Sequence, residues 1–319
     1  ALTTNGNGAA TVVNDAGLIF AASTVGGALS ATATTGNITQ GAAVAVTGTS
    51  SFTTSASDAD ITLSNTGNAF ASAVTLSTTG STAHATIDNG TTTLDIAASS
   101  VGGNLTLISG NASGITDSGN VTVGGNLVAT TNANDGVINM GTLRVDGTVA
   151  LTTNGNGAAT VVNDNGLTFA ASTVRGALTA TATLGNITQD SGDLTITGVA
   201  KFIAGATGSH IILDGSGNAF AAAVTMQAGN GSNAAFGNIT FVDSGAVDFV
   251  SSASTDDGDL YIKSSGAVGG NLSITATTGN ITQSAAVAVT GTSSFTTSAS
   301  DADITLSNTG NAFASAVTL

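Results

Sequence analysis

Residues 42–76, AAVAVTGTSSFTTSASDADITLSNTGNAFASAVTL, stand again at 285–319 without a single change. A second long copy joins 1–40 to 150–189, with only Ala16/Asn165, Ile19/Thr168, Gly26/Arg175, Ser30/Thr179 and Thr35/Leu184 differing. A shorter period runs beneath both. The tag VGGNL or a relative recurs at Val25, Val101, Val123, Val174 and Val268. TGNAF or SGNAF recurs at Thr66, Ser216 and Thr309. Set in register, the tags give segments of about 24 residues, a period of the solenoid kind. The interval from Ala221 to Val268 is about twice that length and is expected to hold two segments. A unit this short cannot bury its apolar side alone, so stacking on its neighbours must create the core.

Within a segment the apolar residues alternate. Leu29, Ala31 and Ala33 share one parity and Ser30, Thr32 and Thr34 the other. Ile61 and Leu63 oppose Asp60 and Thr62, and Val44, Val46 and Phe52 fall on one side of VAVTGTSSF. Period two marks half-buried strands. TTGN at 34–37, SNTGN at 64–68 and DGSGN at 214–218 supply corner residues between them. The steps from Leu29 to Phe52, from Ile38 to Ile61 and from Val46 to Phe70 are nearly equal in length. Three near-constant offsets predict an all-β, right-handed parallel β-helix with three short strands per coil and about 13 coils. Strands about 4.8 Å apart would give a rise of roughly 60 Å. Tandem immunoglobulin-like sandwiches are the competing all-β reading, but they need units of about 100 residues and a larger aromatic core.

Composition agrees with strands. The chain has no Pro, no Cys, no Trp and no Glu, so all 19 acids are Asp. Ladder strands paired on both sides need every N–H, which excludes Pro. Glu, Lys, Arg and Gln, the usual surface residues of helices, are scarce. A hydrophobic share of 41% and a mean hydropathy of +0.35 set it apart from disordered low-complexity chains. With only Arg144, Arg175, Lys201 and Lys263 as cations and a net charge of −15, neither nucleic acid nor an anionic membrane surface is an expected partner. No apolar run reaches the roughly 20 residues of a membrane helix. A disulfide-stapled module is excluded by the missing Cys.

The candidates for chemistry are few. His84 and His210 are the only histidines, lie in what read as unrelated coils, and have no second His or Cys nearby to suggest a metal. Asp256, Asp257 and Asp259 form the densest carboxylate group, read as a solvated turn because Ca²⁺ loops need more oxygen ligands in a set run. The pair Asp58/Asp60 could suit glycoside cleavage. It is copied at Asp301/Asp303, as a scaffold feature would be and an active site need not be. Outward Thr at i and i+2 in SATATT (30–35), TATATL (179–184) and SITATT (273–278) resembles the flat arrays of ice-binding solenoids. Neighbouring coils are expected to break those arrays with residues such as Asn104 and Val128. No catalytic, cofactor-binding or metal-binding residue is assigned, and neither enzyme activity nor a cofactor is expected.

VGGNLTL, TATTGNITQ, VTGTSSFTT and DADITLSNTGNAFASAVTL together resemble the β-strand repeat regions of filamentous-haemagglutinin-like adhesins and related giant bacterial surface proteins. The resemblance spans essentially the whole chain. It implies a right-handed parallel β-helix, export to the cell surface or medium, and a stalk or fibre role in adhesion or matrix building. The expected function is a structural extracellular filament or stalk segment, with glycan adhesion or ice binding through the Thr-x-Thr ladders as the alternative and a polysaccharide-active enzyme third. Residues 1–319 read as a single continuous solenoid without visible caps, one period or slice of a longer tandem array. Inward parity runs on from Val317 and Leu319 into Leu2 if one copy follows another. Expected partners are therefore head-to-tail copies or continuation of the same chain, lateral fibre neighbours, and host or matrix glycans, with no nucleic acid and no membrane insertion.

Overall fold

The computed structural model describes residues 1–229, 237–251, 259–262 and 268–319. It forms two compact units, Ala1–Val161 and Val162–Leu319. Among the described residues there is no helix. Short parallel strands stack into a β-solenoid of about 13 turns, counted over both units.

In the first unit the chain visits three faces in turn. Ala10–Asn14, Leu29–Ala33, Ser50–Ser57 and Val74–Thr79 stack on the first. Leu18–Phe20, Ile38–Gln40, Ile61–Leu63 and Ala85–Asp88 stack on the second, and Ser23–Val25, Val44–Val46 and Ala69–Phe70 on the third. The second face continues in register from Ala85 through Leu105, Leu127 and Val149, at near-constant intervals. Beyond Phe70 the first face changes: Val74–Thr79 is paired by two short strands at once, through Val74–Ile96 and Ser77–Ser100.

Two of the three expected offsets hold, since Ile38 pairs with Ile61 and Val46 with Phe70. The third does not. Leu29 pairs with Ser50, and Phe52 lies beside Ala31. The cause is local. Leu29 to Ile38 takes nine residues, whereas Ser50 to Ile61 takes eleven. The extra two sit in a longer strand, Ser50–Ser57, and in the corner at Asp58, whose φ is +61°. An even insertion keeps parity, so Phe52 still points inward.

The second unit repeats this plan with Leu178, Ala200 and Val224 in register on one face and Leu167, Ile187, Ile211 and Ile239 on another. The interval expected to hold two ordinary segments is irregular instead. Val224 pairs with Leu260, and Ile239 pairs with Leu272, both longer steps along the chain than the pairings of the first unit. Strand Asp259–Ile262 is interleaved, paired on one side with Val224–Ala228 and on the other with Val247–Phe249. The last three coils return to ordinary steps, with Leu272, Ser293 and Val317 aligned.

The inward parity is the core, as expected. Leu29, Ala31, Ala33, Ile61, Leu63, Val44, Val46 and Phe52 are all buried. Aromatic rings rise through it in edge-to-face stacks, Phe20–Phe52–Phe70 in one unit and Phe169–Phe202–Phe220 and Phe249–Phe295–Phe313 in the other. Among the described residues, two core positions carry an unmet polar atom. The hydroxyls of Ser50 and its copy Ser293 are buried with no hydrogen-bond partner. Leaving such a group unmade costs about 1–3 kcal/mol. Ser50→Ala should therefore raise stability by about 1 kcal/mol in a denaturant titration; a loss of stability would show that the hydroxyl is satisfied.

Candidate functional site

The polar residues singled out by the repeats converge on the corners. In the first unit one corner carries a continuous ladder in which each side chain accepts the backbone N–H of the next coil. Asp60 N–H donates to Asn37 Oδ1 at 2.9 Å, and His84 N–H to Asp60 Oδ1 at 2.7 Å. Asn104 N–H donates to His84 Nδ1 at 2.9 Å, Asn126 N–H to Asn104 Oδ1 at 2.9 Å, and Thr148 N–H to Asn126 Oδ1 at 2.9 Å. The second unit has the same ladder through Asn186, His210, Asn238, Asn271 and Thr292. So His84 and His210, read as unrelated, occupy the same corner position, each the same distance along the chain after the acceptor of the coil before, although His210 follows Asn186 as Asp60 follows its copy Asn37 and His84 stands one rung later.

This ladder explains the VGGNL tag. The Asn is the rung, and the glycine before it lies against the previous rung. A Cβ on Gly103 would stand 2.5 Å from His84 Nδ1, and one on Gly125 would collide with Asn104 Oδ1. Gly147, Gly237, Gly270 and Gly291 repeat the arrangement. The tag therefore encodes close backbone approach rather than a ligand loop.

TGNAF is explained by a second device. Asn68 is almost fully buried and is clamped to Gln40 of the preceding coil by paired amide bonds of 2.7 and 2.9 Å. Its Oδ1 also accepts Val44 N–H at 2.9 Å, and its Nδ2 reaches the carbonyls of Leu63 and Asp88. Gln189 with Asn218 and Gln283 with Asn311 form the same clip. Read from sequence, SNTGN is turn chemistry. The missed signal is the co-recurrence of ITQ with GNAF at a nearly fixed spacing.

The Asp58 and Asp60 carboxylates have structural partners. Asp58 accepts Thr82 N–H at 3.1 Å and Asp60 accepts His84 N–H, so the pair joins two coils. The Thr82 backbone N–H, followed by the Thr82 hydroxyl, holds the Asp58 carboxyl below its ordinary pKa. A lowered folded value means that this contribution is in full above the usual carboxylate range and is lost as pH falls through the lowered value. Asp58→Asn keeps an acceptor and tolerates the left-handed backbone. It should lose less stability than the parent between neutral pH and about pH 3; parallel acid-unfolding curves would refute the assignment. Asp301 repeats the backbone of Asp58, with φ +61°. Asp303 N–H donates to Asn280 Oδ1, as Asp60 N–H does to Asn37. Asp256 and Asp257 lie outside the described residues, as does the side chain of Asp259. Among the described residues no group of three or more His, Cys, Asp or Glu could hold a metal ion.

The outward hydroxyls fall into columns that the sequence did not disclose. Thr11, Ser30, Ser51 and Thr75 form one on the first face of the first unit; Thr32, Thr53, Ser77, Ser100 and Thr122 form the other, with Val13 at its start. Asn104 and Val128, expected to interrupt them, belong to the corner ladder and to the second face. In the second unit the columns are broken on the face of Leu178–Ala182, because Thr179 and Thr181 meet Lys201 and Ile203, whereas Thr240, Ser273, Ser294 and Thr318 form one on the other face. Where the strands interleave, a cavity of about 380 Å³ opens against Phe249, Leu260, Tyr261, Val268 and Ala286.

A family model described as repeats of unknown function (DUF5649) matches residues 7–77, 156–227 and 236–319. No curated protein and no solved structure matches the chain. Each matched stretch contains one whole amide clip, Gln40/Asn68, Gln189/Asn218 or Gln283/Asn311. Covering well over half of the chain, the match shows that this protein belongs to that family of repeats, with three copies in its 319 residues.

Proposed function

We propose that the chain is a structural segment of a bacterial cell-surface or secreted fibre, a stiff spacer that sets reach and carries tension for an adhesin or matrix protein. One observation carries the reading. Asp60, both imidazoles, the corner asparagines and the Gln–Asn clips each join one coil to the next, so duplication copies cohesion. In this reading length grows by adding coils, each supplying backbone ladders, a slice of core and its own polar rungs. The resemblance to filamentous-haemagglutinin-like repeats supports the cellular setting. Partners would be further copies of the repeat and the matrix or host glycans around the fibre, and catalysis has no part in it.

Single-molecule pulling tests this. A spacer should resist and then peel in steps near one coil, each releasing about 75 Å of contour for a coil of roughly 22 residues. Release of a whole unit at low force in one event would contradict it. The paired hydroxyl columns favour a second reading, a flat polar face for glycan or ice. Thermal-hysteresis and glycan-array assays separate the two, since a spacer gives no signal in either, and Thr32→Tyr with Thr53→Tyr should abolish any that is found.

A further inference from the structure

We propose that His84 and His210 are proton-sensitive joints between coils, so that mild acid loosens the corner ladder at two set heights while the remaining rungs stay closed. The geometry is the argument. Each imidazole uses Nδ1 to accept the backbone N–H of the following coil, from Asn104 at 2.9 Å and from Asn238 at 2.7 Å. Only a neutral ring with its proton on Nε2 can do so. A second proton makes Nδ1 a donor, and two donors then face each other across the joint. The amide rungs lack this property, because the oxygens of Asn37, Asn104, Asn126, Asn186, Asn238 and Asn271 do not titrate. The carboxylate rung Asp60 keeps an acceptor oxygen even when protonated. Gly103 and Gly237, with no side chain at the point of approach, bring the backbone close against each ring nitrogen.

The groups facing the two rings differ. His84 has Asp58 and Asp60 in the coil before it, and no titratable residue in the adjoining stretch of the coil after it, Gly102 to Leu105. His210 stands between Asn186 and Asn238, and neither adjoining stretch of sequence carries a titratable residue. His84 is therefore a joint beside carboxylates and His210 a joint among amides.

Amide hydrogen exchange on the full 319-residue chain tests the proposal. After correction for the intrinsic rate, protection at Asn104 and Asn238 should fall about tenfold relative to Asn126 and Asn271 between about pH 7.5 and about pH 5. His84→Asn and His210→Asn, which install the rung residue used elsewhere, should keep the neutral-pH protection and remove its pH dependence. Ring-nitrogen NMR of the unaltered chain at neutral pH should show both Nδ1 atoms unprotonated. A protonated Nδ1 at neutral pH overturns the idea, as does protection at Asn104 and Asn238 that tracks the reference amides. An equal loss in the Asn variants would overturn it too.

Discussion

Asn68→Ala should lower the unfolding free energy of its unit by about 3–5 kcal/mol, among the largest single effects available here. The substitution strips the acceptor from Val44 N–H and from Gln40 Nε2, and the donor from the carbonyls of Leu63 and Asp88. At a nearly fully buried site these groups cannot turn to water, and each orphan costs about 1–3 kcal/mol. Asn218→Ala should cost a similar amount, because Asn218 is fully buried in the same clip. Asn68→Asp is a stricter test. It keeps the shape, loses both N–H donors and buries a charge, so it should be no better tolerated than Ala. Denaturant titration that found either variant within about 0.5 kcal/mol of the parent would remove the clip as a stabilising element.

Phe52→Ala should cost about 3–5 kcal/mol, the range for emptying an aromatic site in a packed core. Phe52 is fully buried and touches Phe20 and Phe70 edge to face, with ring centroids 6.1 and 5.5 Å away. Its loss opens a void through three coils. Phe52→Leu should recover much of the difference, because the cost follows residual cavity volume rather than aromaticity alone. Equal losses for Ala and Leu would point instead to the ring–ring contacts.

Much of this was legible in the sequence, and the limits have physical causes. Parity was readable at Leu29, Ala31, Ala33, Ile61 and Leu63, because a strand's side chains alternate whatever its neighbours do. The short period implied coils, since segments of that length can bury apolar surface only by stacking. Register was less readable. Leu29 was set against Phe52 on a constant offset, while two extra residues at the Asp58 corner move its partner to Ser50. Corner length is set by turn geometry, which parity does not reveal. The interleaved strand Asp259–Ile262 has no sequence signal for the same reason.

The polar residues were legible as repeats but not as partners. GNAF and VGGNL were visible tags. Their meaning lies in contacts a full coil apart along the chain, between a Gln and an Asn or between a rung and the next coil's N–H. His84 and His210 looked isolated because equivalence depends on the preceding acceptors, Asp60 and Asn186, which are different residue types.

Neighbouring coils lie in parallel register, and disulfide trapping measures that directly. The chain has no cysteine, so an engineered pair is unambiguous. Thr32 and Thr53 are register partners on the outer side of adjacent strands, whereas Ser77 is one coil further from Thr32. Adjacent strands lie about 4.8 Å apart, within disulfide reach, and alternate strands about 9.6 Å apart, beyond it. Thr32→Cys with Thr53→Cys should close under mild oxidant, and Thr32→Cys with Ser77→Cys should remain free. Free thiols in the first pair, or equal closure of both, would contradict the stacked-coil arrangement on which every other inference depends.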